Sequence, residues 1–200
     1  IEVAKQQLEA LVKQSDQLAS EIIAFQLELL NDSDFLAMAR EPISKSLSAR
    51  ASWEHLLGNE VVDYELSNDS YFRGRAADLR DLRERVSSLL NGAVEVEEIP
   101  EGAIVVTDEL TPSKFLEIDW DRVAGVVMTS GSYTGHVSML ARARGVPLLI
   151  GLQTALESLP NSVEAILVAE EKGELLLEPD AEARHHYETK RSQHLQEKKS

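Results

Sequence analysis

One histidine of this chain stands where its neighbours could give it chemistry. In "MTSGSYTGHVSMLARARGVPLLIG", which begins at Met128, a loop of small residues runs into His136, then a helical pattern, then Gly-Val-Pro and a second apolar run. The apolar run before the loop and the periodic segment after it predict strand, loop and helix, with His136 at the first helical turn. The first amides of a helix lack internal partners and carry partial positive charge, so a glycine-containing loop opening a helix suits an anion. Gly131 and Gly135 let the backbone come close, and Ser130, Ser132 and Thr134 add hydroxyls. Arg142 and Arg144 follow on the same helix. Only one of them can turn back towards the loop, and the spacing does not choose. Phosphate is the natural anion here. A nucleotide site is not expected, because the lysine of the G-x-x-x-x-G-K-[ST] loop is missing. A neutral imidazole is a fair nucleophile near neutral pH, and its attack on a phosphoryl group gives a labile phosphoramidate. The plainer alternative is a polar residue that merely caps the loop, and the residues alone leave both open.

The elements that must position this histidine fall into two textures. Residues 1–92 read as a helical bundle. Ala4, Leu8, Leu11, Ser15, Leu18, Ile22, Phe25 and Leu29 follow a spacing of three and four, which predicts one helix with a buried seam up to "NDSD" at 31–34. A second helix follows with Phe35, Leu36 and Met38, bent or divided at Pro42. A third covers "SARASWEHLLGNEVVDYEL", loosened at Gly58. A fourth, "SYFRGRAADLRDLRERVSSLL", sets Phe72, Ala76, Leu79, Leu82, Val86 and Leu89 on one face, with arginines as a solvated face paired to Asp and Glu along the helix. It stops at Asn91-Gly92. Residues 93–179 read as a compact α/β domain. "AIVVT" (103–107), "VAGVVMT" (123–129) and "LLIG" are strands, and "TPSKFLEID" starts a helix at Thr-Pro. "VEAILVAE" and "GELLLEP" form a hairpin around "EKG". Residues 180–200 form a charged helix in which His185, His186 and His194 fit a solvated face better than a metal site, and His55 reads as an ordinary helix residue.

Composition narrows the function classes. The chain has 200 residues, 43% of them hydrophobic, so it can bury a core, and a net charge of −15. That charge repels nucleic-acid phosphate and favours a basic partner, so no nucleic acid is expected. No cysteine is present, which excludes disulfides, thiolate catalysis and cysteine zinc sites. No apolar run approaches the ~20 residues of a membrane helix, so no membrane partner is expected. The opening "IEVAKQQLEA" carries no Met and no capping residue, and reads as the start of a fragment inside a helix.

"SGSYTGHVSMLARARGVPLLIGL" resembles the phosphohistidine motif of enzyme I of the bacterial phosphoenolpyruvate:sugar phosphotransferase system. Pyruvate phosphate dikinase and phosphoenolpyruvate synthase carry a related motif. "LLNDSDF" and "RGRAADLRDLRERV" resemble the enzyme I segment that docks the small histidine phosphocarrier protein HPr, and "TDELTPSKF" is similar to the segment after the first strand of its phosphohistidine domain. The resemblance spans nearly the whole chain. It implies a helical HPr-binding subdomain inserted in a swivelling β/β/α phosphohistidine domain, followed by a linker helix. It implies that His136 takes phosphate derived from phosphoenolpyruvate and gives it to HPr, with Thr134 as the motif threonine. It places Leu29, Phe35, Arg75 and Arg80 at the docking face. The family's phosphoenolpyruvate and Mg2+ bind in a C-terminal barrel, so no cofactor or metal is expected in these residues. Dimerisation is expected only of the full-length protein, and the setting is cytoplasmic.

Departures from the family pattern are Gly135, where Ser or Thr usually precedes the histidine, Ser130, at the family's first glycine position, and Phe115, near where a further threonine is common. Gly135 and Phe115 remove hydroxyls that could orient the ring. The fragment is not expected to phosphorylate itself from phosphoenolpyruvate, though it should exchange phosphate with phospho-HPr. A first strand upstream of Ile1 is expected to be missing, leaving a sheet edge open. The alternatives are an HPr-docking module that carries no phosphate, a fragment of a fused multidomain phosphotransferase protein, and a dikinase fragment.

Overall fold

A computed structural model describes residues 1–92, 98–153, 158–159, 163–169 and 173–197. The chain forms two compact units. The first comprises Ile1–Glu98, Leu110–Asp119 and Thr134–Leu140; the second comprises Ile99–Glu109, Trp120–Tyr133 and Ala141–Ser200. The expected division after residue 92 separates helices from strands along the chain. In packing, the two short segments from 110 and from 134 group with the helices.

The first unit contains α1 (Glu2–Gln14), α2 (Gln17–Asn31), α3 (Ser33–Ser44), α4 (Ala49–Leu66), α5 (Ser70–Leu90) and α6 (Pro112–Glu117). The single helix expected over residues 1–30 is two helices. Asp16 breaks it, because its short carboxylate accepts from Ala19 N at 2.9 Å and caps α2. The apolar seam survives the break, and Ala4, Leu8 and Ile22 are buried on its two sides. Asp32 caps α3 in the same way, accepting from Asp34 N and Phe35 N. Pro42 does not divide α3; it lies in the last turn, so its missing N–H removes one helical bond just before the helix ends. Helix α4 runs unbroken through Gly58. Along α5, Ala76, Leu79, Leu82 and Val86 are buried as the 3.6-residue period demands. Phe72 departs from that face and stays exposed, its ring on edge to Tyr64. The centre of the bundle is Leu8, Ile23, Leu30, Leu57, Leu79 and Leu82. Helix α6 starts as expected, with Pro112 in its first turn behind Thr111.

The second unit holds a parallel sheet of β1 (Ile104–Thr107), β2 (Gly125–Met128) and β3 (Leu148–Ile150), in that order. Val105 pairs with Val126 and Val127 with Leu149. All four residues of the central strand β2 are buried, which explains its unbroken apolar run. Strands β4 (Ala165–Val168) and β5 (Glu174–Leu177) form a separate antiparallel pair, as the hairpin reading requires. Glu171 and Lys172 of the "EKG" turn, like residues 93–97 at the start of the α/β half, lie outside the described residues. Helix α7 (His136–Arg144) follows β2, and α8 (Ala181–Glu197) is the charged helix expected near the end.

Gly125 is fixed by contact rather than by backbone angle. A Cβ there would lie 2.8 Å from the Pro147 carbonyl oxygen and 2.7 Å from Leu167 Cδ2. The carbonyl cannot yield cheaply, because it accepts the ladder bond from Val126 N at 2.9 Å. Gly125→Ala is therefore expected to lower stability by about 1–3 kcal/mol, the usual range for overpacking, read as a lowered urea midpoint at unchanged slope.

Candidate functional site

His136 is the first residue of α7. The carbonyl of Gly135 accepts from Met139 N at 3.0 Å, so Gly135 occupies the N-cap position. Glycine there costs only a few tenths of a kcal/mol relative to a hydroxyl cap. The hydroxyl missing at this position is thus a small loss to the helix. The glycine demanded by backbone conformation is Gly131, with φ at 126°, a region that side chains rarely enter.

The imidazole is held by a residue far away in sequence. Its Nδ1 lies 2.8 Å from Oδ1 of Asp78 on α5. The other carboxylate oxygen of Asp78 accepts from Arg75 Nη1 at 3.1 Å. The Asp78 side chain is 0% exposed and that of His136 is 17% exposed. A carboxylate paired to a permanently charged guanidinium only accepts, so His136 donates its proton through Nδ1. Nε2 then carries the lone pair, and among the described residues nothing hydrogen-bonds it.

Asp78 reaches this place because of the period of α5. Asp78, Asp81 and Arg85 form a stripe at spacings of three and four directly beside the apolar seam. Both carboxylates are buried, so this stripe is not the solvated face expected of the helix. Asp81 accepts from Gln26 Nε2 on α2 at 2.9 Å, and from Ser113 N and Ser113 Oγ on α6 at 2.8 and 2.5 Å. Burial pushes its carboxyl above the ordinary aspartate range, against the opposing pull of the Ser113 and Gln26 donors and of Arg85. Arg85 in turn donates to Ser113 Oγ, Gln7 and Glu117. The helix that supplies Asp78 is therefore pinned to α2 and α6 one turn further on.

Arg75 links the carboxylate to an aromatic surface. Its guanidinium lies 5.0 Å from the Phe25 ring centre and 5.2 Å from that of Tyr71. Tyr71 and Phe72 are exposed and on edge to one another, and Leu66 at the end of α4 is 76% exposed. Sequence reading missed this group, although "SYFRGR" shows two aromatic residues next to two arginines at a helix start. Of the residues assigned to docking, Arg80 pairs with Glu65 and Leu29 is half-buried against the core. Phe35 is buried with its ring on edge to Trp53.

In the second unit, Arg142 is the arginine that turns back to the loop. Its Nη2 donates to Tyr133 O at 3.1 Å, and its guanidinium lies 4.3 Å from the Tyr133 ring centre. Ser132 and Thr134 are exposed. Phe115 on α6 is fully buried, and the orienting contact to the His136 ring comes from Asp78 instead. His185 and His186 are exposed on α8, and the side chain of His194 lies outside the described residues. Among the described residues no group of three or more His, Asp or Glu is placed to hold a metal ion, and no helix is long and apolar enough to cross a membrane.

Comparison with known proteins shows the family. Residues 1–75 match the family description "PEP-utilising enzyme, N-terminal", and residues 99–173 match "PEP-utilising enzyme, mobile domain". The chain is 31% identical over 158 residues to a phosphoenolpyruvate-protein phosphotransferase of Haloferax volcanii, covering 78% of this chain and 28% of that protein. It is 30% identical to one of Bacillus subtilis, covering 98% of this chain and 35% of that protein. The chain thus spans about a third of the length of these relatives. A solution structure of an enzyme I protein superposes with a TM-score of 0.75 at 24% identity, over 96% of this chain and 80% of that one. With the two family descriptions matching residues 1–75 and 99–173, the chain belongs to the PEP-utilising enzymes and is similar to part of the phosphoenolpyruvate-protein phosphotransferases.

Proposed function

We propose that this chain carries a phosphoryl group on Nε2 of His136 and exchanges it with a histidine of HPr or an HPr-like phosphocarrier domain. The observation that supports this reading best is the Asp78 contact, which occupies Nδ1 and leaves Nε2 with its lone pair. In the step, the Nε2 lone pair forms a bond to phosphorus. The phosphorus–nitrogen bond of the carrier breaks, and its electron pair returns to the carrier's imidazole. The first amides of α7 favour the dianion that results. Positioning and charge stabilisation are most of what phosphoryl transfer asks of a protein. Phosphoenolpyruvate, the donor in the relatives' name, and the Mg2+ expected with it belong in this reading to a part of the enzyme outside these residues, as does dimerisation. Sugar transport and a cytoplasmic setting follow from the same reading.

The docking face in this proposal is the exposed group Leu66, Tyr71 and Phe72 with Arg75 and Arg80. Exposed aromatic residues beside arginine are the types that dominate interface energetics. Tyr71→Ala is expected to weaken association with HPr roughly tenfold or more by calorimetric titration, since buried aromatic anchors at interfaces are commonly worth over 1 kcal/mol. The carrier reading itself is tested by exposing the chain to phospho-HPr. Acid-labile, base-stable phosphate on the chain is the expected result. HPr binding without such label would instead favour a docking module that carries no phosphate, and no HPr binding at all would favour a dikinase-type fragment.

A further inference from the structure

Resting on the proposed transfer at His136, we infer that Asp78 is a positioning residue that sets the free energy of the phosphorylated ring, and so the equilibrium of phosphoryl exchange with the carrier. Neutral His136 presents Nδ1–H to Asp78 at 2.8 Å. When Nε2 bonds to phosphorus, no proton has to leave Nδ1, so the ring itself becomes positively charged. That charge appears beside a carboxylate that is 0% exposed. Before transfer the bond already has a charged acceptor; once the donor is ionised as well, a direct charge–charge attraction is added, and burial strengthens it. The aspartate of a Ser-His-Asp triad serves its histidine by the same two means, holding the tautomer and stabilising the imidazolium.

Arg75 moderates this effect. It holds the second oxygen of Asp78 at 3.1 Å and is only 17% exposed. Asp78 therefore lies between a permanent cation and one that appears only with the phosphoryl group. Before transfer, Arg75 keeps the buried carboxylate from being uncompensated. After transfer, it shares a charge that would otherwise act wholly on the ring. Two substitutions around one carboxylate should then move the equilibrium in opposite directions, which a merely structural role for either residue would not produce.

The experiment equilibrates the 200-residue chain with radiolabelled phospho-HPr and measures the ratio of label on the two proteins, approached from both sides. Asp78→Asn keeps the shape and removes the charge. It is expected to shift the ratio roughly tenfold or more towards phospho-HPr, the size of a lost charge-assisted hydrogen bond. Arg75→Gln is expected to shift it several-fold towards phospho-His136. Nitrogen-15 spectra of the ring supply a readout independent of label: Nδ1–H in the wild type, and a changed tautomer population in Asp78→Asn. A folded Asp78→Asn chain with an unmoved ratio, or Arg75→Gln moving the same way as Asp78→Asn, overturns this inference alone. No label on the wild-type chain overturns the proposed function and this inference with it.

Discussion

Replacement of His136 by alanine is expected to reduce labelling from phospho-HPr to background while leaving the chain folded. The other histidines of the described residues lack the same setting. His55 is exposed on α4, with Asn59 Nδ2 3.4 Å from its ring, and His185 and His186 are exposed on α8. None of these three is hydrogen-bonded to a buried carboxylate as His136 is to Asp78. The fold should tolerate the change, because Asp78 keeps Arg75 and the N-cap bond of α7 is made by the backbone of Gly135. The lost hydrogen bond is expected to cost about 1–3 kcal/mol, as for other hydrogen bonds to charged groups. Circular dichroism and urea unfolding check the fold, and acid lability of the bound phosphate checks the chemistry. Equal labelling of wild type and variant would remove His136 from the mechanism.

The second large effect is on stability. Asp81→Ala leaves the Gln26 amide and the Ser113 N–H without their acceptor in a fully buried place. Gln26 Oε1 already has no partner there, so the side chain has little alternative pairing to turn to. Two buried donors at about 1–3 kcal/mol each, offset by removal of a buried charge, predict a net loss of roughly 3 kcal/mol. Denaturant unfolding measures it, and a loss under about 0.5 kcal/mol, the usual size at an unremarkable surface site, would show that the network does not hold α2, α5 and α6 together. The same carboxyl makes stability depend on pH with a definite sign. Burial raises its native value above that of the unfolded chain. The native state therefore binds the proton more readily, and the associated stability is fully present below the unfolded value and is lost as pH rises through the native one. Asp81→Asn abolishes this dependence. The stability difference between wild type and Asp81→Asn should move in favour of the wild type as pH falls through that window, and a difference independent of pH would contradict the assignment.

Periodicity within a single segment was enough to place most elements. The α5 seam, the Thr-Pro start of α6, the buried run of β2 and the helix opening at His136 all follow from local pattern, because burial on one face imposes a spacing on the apolar residues of that segment. The same reasoning failed where a short polar side chain competes with the backbone. The seam over residues 1–30 is periodic on both sides of Asp16, and a capping carboxylate leaves no mark on apolar spacing. It also failed at the site. "GSYTGH" announced a histidine at a helix start, and Gly135 raised the question of what would hold the ring in place of a hydroxyl.

That question has its answer in Asp78, 58 residues earlier in the chain. A helical pattern shows which residues of α5 share a stripe, but not which other element that stripe meets, so Asp78 read as one half of a solvated ion pair. The choice of Arg142 over Arg144 is of the same kind, since one helical turn offers both and only the folded loop at Tyr133 selects. By itself the sequence determined most of the elements from local spacing, and through the resemblance of its motifs the family and the histidine proposed to carry the phosphoryl group. Only the tertiary structure decided which nitrogen of that histidine is free, because that depends on a buried carboxylate brought to it by the packing of another helix.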